Sequence, residues 1–267
     1  MSVLFADRTS PELAEAIERR SVLLLPVGQT EEHGPHLPVC TDTVIAERAA
    51  LDAAEQLEGR VPVLVLPTVA YGYSGKAMSR WPGTIRVRTR VVMDLLGDVC
   101  SSVIEMGFRK VALVSAHGHH HGICRVAVRE VADATGVHVA LTEPARLVAD
   151  LFTQIRNSQL GGAIHGGEYE TSLAMHLGLP VDLAKVDARD LFRRPTDFVG
   201  GDSLSRSGKV FWSTWGLQPS KQGIYGDPTV ASADTGRQLW QAVVQRYAQF
   251  LTEFWQLEPP DTHQESP

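Results

Sequence analysis

Four short apolar runs, Val22–Val27, Val61–Val69, Val111–Val114 and Val137–Leu141, are each separated from the next by a stretch with helical spacing. Runs of this length read as strands buried on both faces. The intervening patterns are Thr43–Leu57, rich in alanine and leucine, Arg88–Met106 and Gly122–Thr135. In the second of these, Val91, Val92, Leu95, Leu96, Val99 and Val103 fall on helical spacing, and Gly107 stands where such a helix stops. A further helix opens over Glu170–Leu177, and a last long one covers Thr235–Trp255. Strands alternating with helices predict a three-layer α/β/α fold around a mostly parallel central sheet. With 267 residues, 43% of them hydrophobic, the chain can bury one large core, expected over residues 1–256 as a single domain. The proline-rich polar stretch Leu257–Pro267 reads as a disordered tail.

In open parallel sheets, ligands bind beyond the carboxyl ends of the strands. Two of the apolar runs lead straight into polar motifs. The first runs into Gly28-Gln29-Thr30-Glu31-Glu32-His33-Gly34-Pro35-His36-Leu37-Pro38, with Asp42 just beyond. The third runs into Ser115-Ala116-His117-Gly118-His119-His120-His121-Gly122. A third segment, His165-Gly166-Gly167-Glu168-Tyr169-Glu170-Thr171-Ser172, starts a later helix. Seven of the ten histidines lie in these segments. Neutral imidazole and carboxylate are ligands for zinc, manganese or iron, and one carboxylate can bridge two ions. Glycines beside the candidate ligands, as at Gly34 and Gly118, allow tight turns.

Each residue also has a plainer reading. A lone His33 is more often a satisfied polar residue than a ligand. His119, His120 and His121 read equally as a solvated loop. Glu31, Glu32 and Glu168 suit a helix start. Convergence of three separate segments on one sheet edge favours a metal cluster over these readings.

The formal charge of −6 gives no electrostatic reason to bind nucleic acid or an anionic membrane. The pairs Arg19-Arg20 and Arg193-Arg194 are too short to make a basic patch. The N-terminal stretch has no signal-peptide pattern, and no apolar run near it is long enough to span a bilayer. Cys40, Cys100 and Cys124 stand apart, without the spacing of a disulfide framework or a thiolate zinc site. A cytoplasmic location is the expectation.

The three motifs together resemble the creatininase family of metal-dependent amidohydrolases. The family pattern GxTEQHGPHLPxxxD corresponds to Gly28–Pro38 with Asp42, and PGTI to Pro82-Gly83-Thr84-Ile85. HxGxxETS corresponds to His165–Ser172, and GDPxxAS to Gly226–Ser232. The likeness extends from about Leu23 to Gly236. It implies two divalent ions per subunit (Zn, Mn or Fe), with Glu31 and His117 on one, His33 on the other, and Asp42 bridging. It makes Glu170 a further ligand or a close supporting group, and His165 the catalytic histidine that protonates the leaving nitrogen. It also implies a homohexamer and a small-molecule substrate. The sequence departs from the family pattern NGHGGN. Ser115-Ala116 replace the first pair, His119 takes a position where creatininases carry a metal-serving glutamate, and His120 replaces the closing asparagine. His119 is therefore an extra candidate ligand. Glu32 replaces the usual glutamine and adds negative charge.

The expected activity is hydrolysis of an amide, cyclic amide or formamide C–N bond by metal-activated water. Hydrolysis of a keto-inositol C–C bond, or trimming of a peptide in cofactor maturation, uses the same cluster. A non-catalytic metal-binding protein would need no proton-carrying His165. Phe211, Trp212 and Trp215 read as packing or a subunit contact, or as a pocket lid. Lys76 and Arg80 read as solvated, or as facing an anionic or polyhydroxyl substrate.

Overall fold

The computed structural model describes residues 2–187, 198, 204, 210 and 220–258. Its elements in chain order are α1 (Ser10–Glu18), β1 (Val22–Val27), α2 (Thr41–Gln56), β2 (Val63–Val65), α3 (Thr89–Glu105), β3 (Lys110–Ser115) and α4 (His120–Thr135). They continue with β4 (His138–Thr142), α5 (Pro144–Leu147), α6 (Ala149–Ile155), α7 (Glu168–His176) and α8 (Ala233–Gln256). Among the described residues the strands form one sheet in the order β2-β1-β3-β4, parallel throughout. In the centre, Leu24 pairs with Val65 on one side and Ala112 on the other.

The period of two along β1 sorts its side chains into two cores. Val22 and Leu24 pack with α2, α7 and α8, through Ile45, Ala49, Leu173, Leu239 and Val243. Leu23, Leu25 and Val27 pack with α3 and α4, through Val92, Leu96, Ile123 and Cys124. All five β1 side chains are at most 1% exposed, each worth about 1.5–3 kcal/mol of burial. The result is the expected three-layer α/β/α architecture. Ala46, Ala49, Ala50, Ala53 and Ala54 make the buried face of α2 small, so this helix lies close to the sheet.

The boundaries differ in instructive ways. The second apolar run is regular only over Val63–Val65. Pro67 has no amide hydrogen and interrupts the ladder, and Val69 returns to donate to Pro26 O at 2.9 Å. Helices α4 and α7 begin two residues earlier than their apolar spacing indicates. His120, His121 and Glu168 are therefore helical, because polar residues in a helix's first turn carry no apolar period. Helix α1 was not marked by the apolar periodicity. Its signal is the capping pattern Thr9-Ser10-Pro11-Glu12, in which Thr9 N donates to Glu12 Oε2 at 2.7 Å. Leu257 and Glu258, the first residues of the expected tail, accept hydrogen bonds from Lys110 Nζ and His138 Nε2 through their carbonyls. The rest of that tail, Phe211, Trp212, Trp215 and the Arg193-Arg194 pair lie outside the described residues.

Gly28 seats α2 on the end of β1. A Cβ there would lie 2.3 Å from Thr43 Cα and 2.8 Å from Thr43 N, both backbone atoms that cannot rotate away. Gly28→Ala is expected to displace the first turn of α2 and to destabilise the protein by roughly 1–3 kcal/mol in urea denaturation. An unchanged midpoint would mean that this turn is not seated as described.

Candidate metal centre

The carboxyl ends of β1 and β3 deliver Glu31, His33 and His117. Asp42 comes from the first turn of α2, and Glu170 from the first turn of α7, with His165 in the loop before it. All six side chains converge. His117 Nδ1 lies 2.8 Å from Asp42 Oδ2 and 3.5 Å from Glu31 Oε2. On the other side of Asp42, His33 Nε2 lies 3.3 Å from Oδ1 and 3.7 Å from Glu170 Oε2. His165 Nδ1 is 3.5 Å from Glu31 Oε2, and its ring centroid is 4.4 Å from that of His33. Three triads have ligand atoms within 4.8 Å of one another: His33–Asp42–Glu170, Glu31–His117–His119 and Glu31–His33–His165.

These groups fit a cation better than they fit one another. Both Glu31 carboxylate oxygens, Asp42 Oδ2 and His33 Nε2 are buried with no hydrogen-bond partner, despite the short distances. Buried polar atoms are normally hydrogen-bonded, and atoms that serve as ligands to an ion are a recognised exception. The histidine tautomers agree. A carbonyl can only accept, so His33 Nδ1 donates to Glu31 O at 3.0 Å and His117 Nε2 donates to Tyr73 O at 3.1 Å. In the neutral rings this leaves His33 Nε2 and His117 Nδ1, the two nitrogens that face the carboxylates, as lone-pair donors.

Electrostatics follow from the crowding of acids. Burial lowers the pKa of His33, but Asp42, Glu170 and Glu31 outweigh it and hold the imidazole well above its ordinary value. His117 loses to burial and gains more from Glu31 and Asp42, ending at about 9. Burial works against the Asp42 carboxylate, yet the two flanking histidines hold it well below the usual range. Glu170 goes the other way, because burial dominates and raises it. His165 is raised: burial and His33 push it down, but the nearby carboxylates prevail.

The surrounding residues divide by what they touch. Glu32 Oε2 accepts from Gly34 N at 3.0 Å, while its Oε1 lies 3.6 Å from His165 Nε2. His36 Nε2 meets Thr171 Oγ1 at 3.0 Å. Glu168 accepts from the amides of Asn157 and Ser158, at 2.8 Å each, and so secures the chain ahead of His165. His121 pairs with Glu143 at 2.8 Å, away from the cluster. Lys76 is exposed, as is Arg80. His119 reaches the Glu31–His117 triad, and its Nδ1 also accepts from Gly75 N at 3.2 Å. Burial and His117 lower its pKa to about 4, so it is neutral at pH 7. The segment Gly72–Gly75, whose backbone meets His117 and His119, escaped the sequence reading. Its flanking glycines were the available signal.

The sequence model of the creatininase family, described as creatinine amidohydrolase, matches residues 6–251. The chain belongs to the creatininase family. It is a metal-dependent hydrolase of that family. A Mycobacterium tuberculosis relative, a mycofactocin precursor peptide peptidase, is 32% identical over 234 residues, 83% of this chain and 81% of its own. The 3-dehydro-scyllo-inosose hydrolase of Thermotoga maritima is 25% identical over 260 residues, 91% of this chain and 80% of its own. A solved creatininase mutant described as Zn–Zn type shares the fold, at 24% identity and a TM-score of 0.78 over 96% of this chain and 100% of its own. No described helix of this creatininase-family chain is long and apolar enough to cross a membrane.

Metal binding to a site of this kind must displace protons. His117, at about 9, carries its proton at pH 7, and the acids around His33 shift that ring in the same direction. Their stabilising ion pairs are complete below the unfolded pKa and are lost as pH rises through the folded values. Zinc titrations by calorimetry, in buffers of different ionisation enthalpy, are expected to show net proton release at pH 7 that shrinks above pH 9. Buffer-independent heats at pH 7 would contradict this charge state.

Proposed function

We propose that this creatininase-family protein hydrolyses an amide-type C–N bond of a small molecule or short peptide, using two divalent ions. The carrying observation is the buried Asp42 carboxylate, 2.8 Å from His117 on one side and 3.3 Å from His33 on the other, which joins the Glu31–His117 group to the His33–Glu170 group. Glu31 and His117 with Asp42 would hold one ion, and His33 and Glu170 with Asp42 the other. His119 would add to the first by surrendering its bond to Gly75. Bound there, the ions supply hydroxide at neutral pH and polarise the substrate carbonyl. Zinc, manganese and iron all suit this mixture of nitrogen and oxygen donors.

The chain's own groups do the rest. The backbone carbonyls of Glu31 and Tyr73 fix the ring orientations of His33 and His117. His165 is placed to protonate the departing nitrogen. Its Nδ1 faces Glu31, so Nε2, beside Glu32, is the atom that passes the proton. The buried surroundings keep bulk water from these charges and strengthen every interaction among them.

A cytoplasmic, homohexameric enzyme is part of the same proposal. Val39, Tyr71 and Ile85 are exposed apolar side chains flanking the motifs, which supports burial of this surface between subunits. The inosose hydrolase relative favours a second reading, cleavage of a C–C bond beside a ketone, by the same cluster.

Metal analysis followed by a panel of creatinine, cyclic ureides, formamides, short peptides and keto-inositols separates these readings. Turnover confined to keto-inositols would replace the C–N assignment. Asp42→Ala is expected to lose both ions and all turnover, so metal-dependent turnover in that variant would remove the bridging role. His165→Ala is expected to keep its metal content while kcat falls by about 10²–10⁴-fold. Loss of an ion instead would make His165 a ligand, as the Glu31–His33–His165 triad allows.

A further inference from the structure

The loop after β2 is tied to the chain at Gly72, whose carbonyl accepts from Val87 N at 2.8 Å beside a bridge to Arg86, and at Ser74, whose carbonyl accepts from Arg86 Nε at 2.9 Å; side chains of the two histidine motifs hold it from the other side. Gln29 Oε1 accepts from Gly72 N at 2.6 Å, and Gln29 Nε2 donates to Ser74 Oγ at 2.8 Å. Between these anchors sits Tyr73, whose peptide groups are both taken by histidines. Tyr73 N donates to His120 Nε2 at 3.0 Å, and Tyr73 O accepts from His117 Nε2 at 3.1 Å. His120 is wholly buried, on the first turn of α4. Its ring occupies space that only a glycine leaves open, since a Cβ on Gly72 would lie 2.2 Å from His120 Nε2.

We infer that His120 is a positioning residue for the metal ligand His117, acting through the Tyr73 backbone rather than by touching an ion. The inference rests on the metal-centre reading above. Its logic is geometric. His117 can present Nδ1 to Glu31 and Asp42 only while its Nε2–H has an acceptor in a fixed place. That acceptor is the Tyr73 carbonyl; its neighbours Gly72 and Ser74 are held by Gln29, Val87 and Arg86, and His120 is the group that holds the Tyr73 amide itself. Loss of the His120 acceptor leaves a half-buried amide without its partner. The loop then shifts, the Tyr73 carbonyl moves off His117, and the ring loses its orientation. Partners of this kind, removed from a ligating histidine, typically cost 10–100-fold in metal affinity. His120 and the small residue at Gly72 are matched in space, the ring filling what the missing Cβ leaves open.

The test uses the whole protein and zinc alone, with affinity read by chelator competition and the Tyr73 amide followed by hydrogen exchange. His120→Leu is expected to weaken zinc binding roughly 10–100-fold and to speed exchange at Tyr73. His120→Gln, which keeps an acceptor at the distance of Nε2, is expected to restore most of the affinity, a rescue that mere packing would not produce. Wild-type affinity in His120→Leu, or equal loss in the Leu and Gln variants, would overturn the inference. Should His120→Leu not fold, Gly72→Ala decides. Its methyl would meet His120 Nε2 at 2.2 Å and the flexible end of Gln29 at 3.2 Å, but no side chain of the metal cluster, so weakened zinc binding with faster exchange at Tyr73 supports the inference and unchanged binding ends it. Failure of the wild-type protein to bind zinc would instead count against the metal-centre reading itself.

Discussion

Asp42 is the residue on which the centre depends. It is a carboxylate 1% exposed, set between the imidazoles of His33 and His117. A buried charge of this kind is costly unless it is compensated. The two flanking imidazoles, both held above their ordinary pKa, compensate it where they are protonated. A divalent cation held here would offset the same charge, which is why a carboxylate so costly alone suits a metal site.

That carboxylate is held in place by the fold at several removes. Asp42 sits in the first turn of α2, and α2 is set against the end of β1 by the missing side chain of Gly28 and by its own row of buried alanines. The histidines are oriented by carbonyls of Glu31 and Tyr73. The Tyr73 loop is in turn gripped by Gln29 and His120. These side chains are thus the innermost of a set of nested constraints, made of close backbone packing and of hydrogen bonds from side chains to the backbone.

Much of the fold was legible because its strands are buried on both faces and therefore nearly uninterrupted in apolar character. Val22–Val27 and Lys110–Ser115 are such strands, and Arg88–Met106 showed its helix by spacing alone. Legibility failed where another demand overrode the period. Pro67 broke the second strand, and the polar first turns of α4 and α7 hid their own starts. Helix α1 declared itself by a cap rather than by apolar spacing. For the centre, the motifs pointed to Glu31, His33, Asp42, His117, His165 and Glu170, and these six converge. The three consecutive histidines were the ambiguous part, and each proves to have a different partner: Gly75 for His119, Tyr73 for His120 and Glu143 for His121.

The sequence by itself determined the layering and the ligand types, because both are written in local pattern: apolar runs, helical spacing, and histidines and acids clustered after strand ends. Only the tertiary structure decided which nitrogen of each histidine is free, which carboxylates face one another, and that the Gly72–Gly75 loop closes over His117. Those facts depend on contacts between segments far apart in the chain, such as Tyr73 with His117 and Asp42 with His117. No local pattern encodes the direction of a hydrogen bond across such a gap.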